Sequence, residues 1–174
     1  VQLRPAEFIE PCLPTISRLV PTGPGWAYEI KHDGFRFLAV RQGKRVRVFS
    51  RGGHDWATQL PTITDAMQAL PVRSATLDGE GVICGPDGKS DFDCMRACFG
   101  RNGAPEAFLY AFDLLQLDGR DLRNEPWARR RAMLEQLLAD AEAGIRLNEH
   151  IEDVDGAIVF RQACVMGLEG IVAK

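Results

Sequence analysis

Lys31 with Asp33 and Arg36, Arg51, Glu80, and Glu169 with Lys174 are charged residues set among apolar or glycine neighbours in a chain of 174 residues. Charges in such settings need partners, and partners drawn from distant parts of a chain tend to meet at a site. The residue types suit phosphoryl or nucleotidyl chemistry, in which lysine and arginine hold phosphate oxygens and carboxylates hold Mg2+. Lys31 alone reads as a solvated lysine at a strand end. With an ordinary pKa near about 10.4 it becomes a nucleophile only where burial, cations or metal favour the free amine. The distant elements decide which it is.

Those elements come in a clear order. Tyr28-Glu29-Ile30-Lys31 alternates apolar and polar, His32-Asp33-Gly34 turns, and alternation resumes through Phe35, Phe37 and Ala39. With Arg45-Val46-Arg47-Val48-Phe49-Ser50 the pattern predicts three successive strands in an antiparallel meander. Leu60, Ile63, Met67 and Leu70 have helical spacing. Residues 75–84 read as a strand whose glycines, Gly79 and Gly81, imply close approach of a neighbour. Pro86-Asp87-Gly88-Lys89 is a hairpin turn, and Asp91 caps a short helix. Ala107 to Leu115 reads as a buried strand interrupted by Asp113. A helix capped by Asn124 runs to about Ala141, with Arg129, Arg130 and Arg131 on a solvated face. A short strand at Ile145-Arg146-Leu147, a helix over 154–165 ended by Gly167 and a last strand over 168–174 complete the reading. Pro5, Pro11, Pro14, Pro21 and Pro24 make residues 4–25 an irregular lead-in. Gly23-Pro24-Gly25 is a plain turn, since it precedes a strand and lacks the helix of a phosphate loop. The fold class is α+β, with antiparallel sheets flanked by helices.

Composition sets bounds. The 45% hydrophobic and 26% charged content is that of a globular domain. A net charge of −3 leaves any polyanion to a local basic patch. No apolar run is long enough to span a bilayer. Cys12, Cys84, Cys94, Cys98 and Cys164 show neither a disulfide framework nor metal-ligand spacing and read as free thiols in a reducing cytoplasm.

Lys31-His32-Asp33-Gly34-Phe35-Arg36 resembles the KxDGxR signature of covalent nucleotidyltransferases, namely ATP-dependent DNA ligases, RNA ligases and mRNA-capping enzymes. Ser50-Arg51-Gly52-Gly53 resembles the SRxG element, Leu77-Asp78-Gly79-Glu80 the DGE element, and Tyr110-Ala111-Phe112-Asp113 the YxFD element. Glu169-Gly170-Ile171-Val172-Ala173-Lys174 resembles EGxVxK. The likeness spans roughly Phe8 to Lys174 and is greatest to bacterial ligases of the ligase D type, which serve in end-joining repair.

The resemblance implies the DNA ligase and mRNA-capping nucleotidyltransferase fold. It also implies that Lys31 attacks the α-phosphate of ATP, releases pyrophosphate and carries AMP. Glu29 would read the adenine amino group, Phe112 would stack on adenine, and Arg36 and Arg51 would contact ribose or phosphate. Glu80 would take a ribose hydroxyl or a metal-bound water, and Glu169 would help bind Mg2+ or Mn2+. Lys174 would grip phosphate, while Asp33 and Gly34 shape the turn. AMP would then pass to the 5′-phosphate of nicked double-stranded DNA, with fused or associated end-joining proteins as partners in a bacterial cytoplasm.

His32 stands where the ligases often have tyrosine and reads as a variable turn position, and His54 and His150 match no motif. The family's last lysine motif and an oligonucleotide-binding domain would follow Lys174. Residues 1–174 are therefore expected to be a truncated adenylation domain that binds ATP weakly. Two other readings stand beside this one: an RNA ligase or capping-type enzyme, and a catalytically impaired nucleotide-binding fragment.

Overall fold

The alternation of Tyr28-Glu29-Ile30-Lys31 forms strand β1 (Tyr28–Lys31) in the computed structural model, which describes residues 8–99, 103–141 and 143–174. Residues 8–25 contain no helix or strand, as the prolines dictate, and residues 4–7 of the lead-in lie outside the described part. The predicted meander fails at its first step. β1 does not pair with β2 (Phe35–Gln42) but lies between β8 (His150–Ile151) and β9 (Gly170–Ala173), antiparallel to both. The turn at His32-Asp33-Gly34 carries the chain from this three-stranded sheet into a larger one. A hairpin pattern in sequence specifies two strands and a turn, but long-range register decides whether those strands pair with each other.

The larger sheet runs β3-β2-β4-β5-β6, formed from β3 (Arg45–Ser50), β4 (Ser74–Val82), β5 (Phe108–Leu117) and β6 (Arg120–Asp121). All these pairs are antiparallel, as expected, and β7 (Ile145–Leu147) adds one short parallel pairing on β5. Gly79 and Gly81 are needed where they stand. A Cβ on Gly79 would lie 2.6 Å from the Tyr110 carbonyl oxygen, and one on Gly81 2.5 Å from the Phe37 ring.

Helices α1 (Pro61–Ala69), α2 (Phe92–Phe99) and α3 (Trp127–Leu138) cover one face. Alternation along β2 feeds two cores. Phe37 and Ala39 pack with Leu60, Ile63, Met67 and Leu134, while Leu38 and Val40 pack with Phe49, Leu115 and the lead-in's Phe8 and Ile9. Asp91 accepts from the Cys94 amide at 2.8 Å, the expected cap of α2. Asn124 does not cap α3. That helix begins after an extended Pro126, whose ring fixes φ at the entry and suits the start of a helix. Helix α4 (Gly156–Val165) is capped by Asp155 and followed by Gly167, and it packs against β1 and β9. No described helix is long and apolar enough to cross a membrane.

Candidate active site

β1 and β9 pair with Glu29 opposite Val172 and Lys31 opposite Gly170. Two ion pairs cross this ladder. The Lys174 ammonium donates to Glu29 Oε1 at 3.0 Å and lies 2.9 Å from Oε2, and Lys31 pairs with Glu169 just before β9. The two pairs differ in setting. Glu29 is 2% exposed, whereas the Lys31 and Glu169 side chains are 43% and 39% exposed. Lys31 is thus held at a strand end, by a carboxylate, at the edge of water.

Gly34 makes that placement possible. A Cβ there would lie 2.4 Å from the Gly81 carbonyl oxygen and 2.8 Å from Val82 Cγ1, so the turn after Lys31 rests directly on β4. On β4, Glu80 stands opposite Arg36 of β2. Burial pushes the Glu80 carboxyl up to about 7, against the pull of Lys31 and Arg36 and with the push of Glu169 and Asp78. Glu80 therefore lies within electrostatic reach of both members of the Lys31–Glu169 pair.

Arg36 is anchored. Its Nε and Nη2 donate to Asp78 at 2.9 and 2.7 Å, and its guanidinium lies 5.2 Å from the Phe112 ring centroid. Lys174 lies 4.7 Å from the same centroid and donates to the Phe112 carbonyl oxygen at 3.2 Å. Arg51 is exposed at the end of β3 and lines one shallow cleft with Arg36, Asp78, Ser50 and Pro11. The structure therefore gathers Glu29, Lys174, Phe112 and Arg36 in one contact group. Lys31, Glu169 and Glu80 form a second beside it, joined through Arg36 and Glu80, with Arg51 at the rim.

Several residues of this region were not legible as site residues. Asp78, the first acid of the DGE element, holds Arg36 from the neighbouring strand, and the signal for it is a buried charge one strand from another. The Arg129-Arg130-Arg131 run is not a solvated face. Arg130 forms a two-point pair with Asp113 at 2.7 and 2.8 Å, and Arg131 is 3% exposed. Asn148 is 4% exposed and lies beside Glu29. His32 is an anchored residue of the turn, stacked on Tyr110 with ring centroids 3.8 Å apart and bonded through Nε2 to Asn148 Oδ1 at 3.0 Å. Burial lowers its pKa despite the Asn148 bond, so the ring is neutral at pH near about 7. Trp127 Nε1 is buried without a hydrogen-bond partner among the described residues, and Lys174 lies 5.8 Å from its ring centroid.

Glu80 and Glu169 offer hard oxygen donors around Lys31. Mg2+ is commonly held by one or two carboxylates with substrate phosphates completing the shell, so this donor set fits it or Mn2+. Among the described residues no group of three or more His, Cys, Asp or Glu side chains could enclose a metal by itself.

The site can be set beside known proteins. The multifunctional non-homologous end joining protein LigD of Pseudomonas aeruginosa is 36% identical over 170 residues, covering 97% of this chain and 20% of that protein. A probable DNA ligase of Sorangium cellulosum is 37% identical over 156 residues, 85% of this chain and 29% of that protein. The chain thus spans less than a third of either relative. The solved structure of a mycobacterial DNA ligase D complexed with ATP and MES superposes with a TM-score of 0.71 at 33% identity, covering 86% of this chain and 48% of that one. The model of the ATP dependent DNA ligase domain matches residues 10–174, and on that match and these identities the chain belongs to the ATP-dependent DNA ligase domain family.

Proposed function

We propose that residues 1–174 are the adenylation core of a ligase D type enzyme and that Lys31 is its nucleophile. The observation that carries the reading is the pairing of Lys31 with Glu169 beside Glu80, in a strand pair that also places Glu29 against Lys174. In the transfer, the Lys31 amine forms a bond from Nζ to the α-phosphorus of ATP. The bond from that phosphorus to the bridging oxygen breaks, pyrophosphate leaves, and the amine loses a proton. The Lys31–Glu169 pair opens as the nitrogen turns to phosphorus; Glu169 and Glu80 are the carboxylates that would hold Mg2+ or Mn2+. When bound, the ion offsets charge on the phosphates and on the leaving pyrophosphate.

The remaining residues orient the nucleotide. Phe112 offers a ring for adenine to stack on, and Glu29 accepts from the adenine amino group. Lys174, Arg36 and Arg51 supply cations for phosphate or ribose oxygens. AMP on Lys31 then passes to the 5′-phosphate of a DNA nick, and the 3′-hydroxyl attacks to seal it. Nicked double-stranded DNA and fused or associated end-joining proteins are the partners of the longer protein in a bacterial cytoplasm.

The test is intact mass after incubation with ATP and Mg2+, wild type beside Lys31→Ala. A gain of one AMP on the wild type alone is expected. Absence of that gain on the wild type, or its persistence in Lys31→Ala, would overturn the assignment. Repeating the incubation with GTP, and then with nicked DNA or RNA, separates the DNA ligase from RNA-joining and capping readings.

A further inference from the structure

Glu29 is a buried carboxylate with three polar neighbours, and only one of them is needed elsewhere. In the reaction above Lys174 serves the phosphates, yet here it is paired with Glu29, donating to Oε1. A carboxylate 2% exposed that lost all its cations would take up a proton and become a donor instead of an acceptor. It could then no longer accept from an amino group. Something else must keep it charged and aimed.

The molecule provides two such groups. Arg131, from the first half of α3, brings Nη1 to 3.6 Å from Glu29 Oε1. It is itself fixed by donating to the Asn148 carbonyl oxygen at 2.6 Å and to Glu135 at 2.9 Å. Asn148, between β7 and β8, donates from Nδ2 to Glu29 Oε2 and to the Ile30 carbonyl oxygen, both at 3.3 Å. Its Oδ1 meets His32, so one amide joins the base-facing carboxylate to the turn that carries Lys31. Side chains this buried are preorganised, and replacing them leaves Glu29 charged without support or neutral.

We infer that Arg131 and Asn148 are positioning residues for nucleobase choice, which hold Glu29 ionised and aimed once Lys174 turns to phosphate. The inference rests on the reading of Glu29 as the acceptor for the adenine amino group. Discrimination by such an acceptor is large, because a substrate without the donor leaves one acceptor position of a buried carboxylate unfilled.

Binding of ATP and of purine riboside triphosphate, which lacks the 6-amino group, tests this by calorimetry on the whole chain without divalent metal, so that no transfer occurs. The wild type should prefer ATP, and Glu29→Gln should erase that preference. Arg131→Met and Asn148→Ser should each shrink it about tenfold by weakening ATP binding while leaving the analogue nearly unchanged. A purely structural role would weaken both ligands together. If Glu29→Gln retains the preference, the base-reading assignment itself fails and the inference with it. If Glu29→Gln erases it but both other variants retain it, only the inference fails. Should Arg131→Met not fold, Asn148→Ser decides, and loss of folding in both would assign the two residues to the core and overturn the proposal.

Discussion

Asp78→Ala is the perturbation that most directly asks whether the site is preorganised. Asp78 is 5% exposed at its side chain and Arg36 19%, and two hydrogen bonds of 2.9 and 2.7 Å join them. Removing the carboxylate leaves a mostly desolvated guanidinium without its acceptor. Breaking a fully buried pair from one side costs roughly 3–5 kcal/mol, and water reaching Arg36 lowers the expectation to about 2–4 kcal/mol. For a chain of this size that is a fall in Tm of roughly 5–12 °C. The assay is a double-mutant cycle in thermal and urea unfolding with Arg36→Met, Asp78→Ala and the double variant. The double variant removes the uncompensated charge, so a coupling of at least about 1.5 kcal/mol is expected. ATP binding should weaken in Asp78→Ala as well, because Arg36 loses the support that keeps it beside Phe112. Effects additive to within about 0.5 kcal/mol would refute the reasoning, since residues in one network do not add.

Glu80 predicts a pH dependence with a definite sign. Its carboxyl titrates near 4.5 ordinarily and near about 7 here, so between these values the folded state keeps a proton that the unfolded state has lost. Stability therefore falls as pH rises through that window, and the whole cost of the buried carboxylate is present above it. Glu80→Gln should flatten the slope and gain up to about 3 kcal/mol at about pH 8 while abolishing adenylation; parallel urea-unfolding profiles for the two proteins would sink the argument. Gly34→Ala should destabilise by roughly 1–3 kcal/mol and nearly abolish lysyl-AMP formation, because the added carbon meets the Gly81 backbone, and unchanged adenylation in a mass assay would show that the turn has room. Phe112→Leu should weaken ATP binding by about 1–3 kcal/mol in calorimetry, the worth of a base stacked on an aromatic ring; equal affinity would remove Phe112 from the site.

The sequence made individual strands legible because alternation is local. The ranges of β2, β3 and α1 lie within a residue or two of those expected. It did not make β1's partners legible. Val172 and His150 are opposite Glu29 only through register, and no local pattern encodes which distant strand a two-faced segment will choose. The same limit hid Arg131 and Asn148. A run of three arginines on a helix reads as solvated, yet α3 packs against β5 and β7 so that Arg131 points inward and finds Glu29 on β1 of the other sheet. Motif residues were found because order along the chain substitutes for geometry. Their supports were not, because support is a three-dimensional relation with no fixed spacing.

The ladder between β1 and β9 gives that relation a physical form. Glu29 and Lys31 are two residues apart and share a face, as do Gly170, Val172 and Lys174 on the facing strand. Along the chain both segments run acid then lysine, Glu29 to Lys31 and Glu169 to Lys174, and because the strands are antiparallel each acid faces the other segment's lysine. The Glu29–Lys174 pair is therefore a diagonal of the ladder, while Lys31 meets Glu169 from just beyond the start of β9. A register slip of one residue would turn Glu29 away from Lys174, so that buried pair specifies the register that the apolar residues alone leave less determined. The residue opposite Lys31 is Gly170, which presents no side chain, and a Cβ placed there would meet nothing within 4 Å. Lys31 is thus clamped laterally by Glu169 with open space across the strand, where a side chain would compete with an incoming phosphate. The buried diagonal fixes the strands, and the half-exposed Lys31–Glu169 pair at the strand end is left as the one that can open.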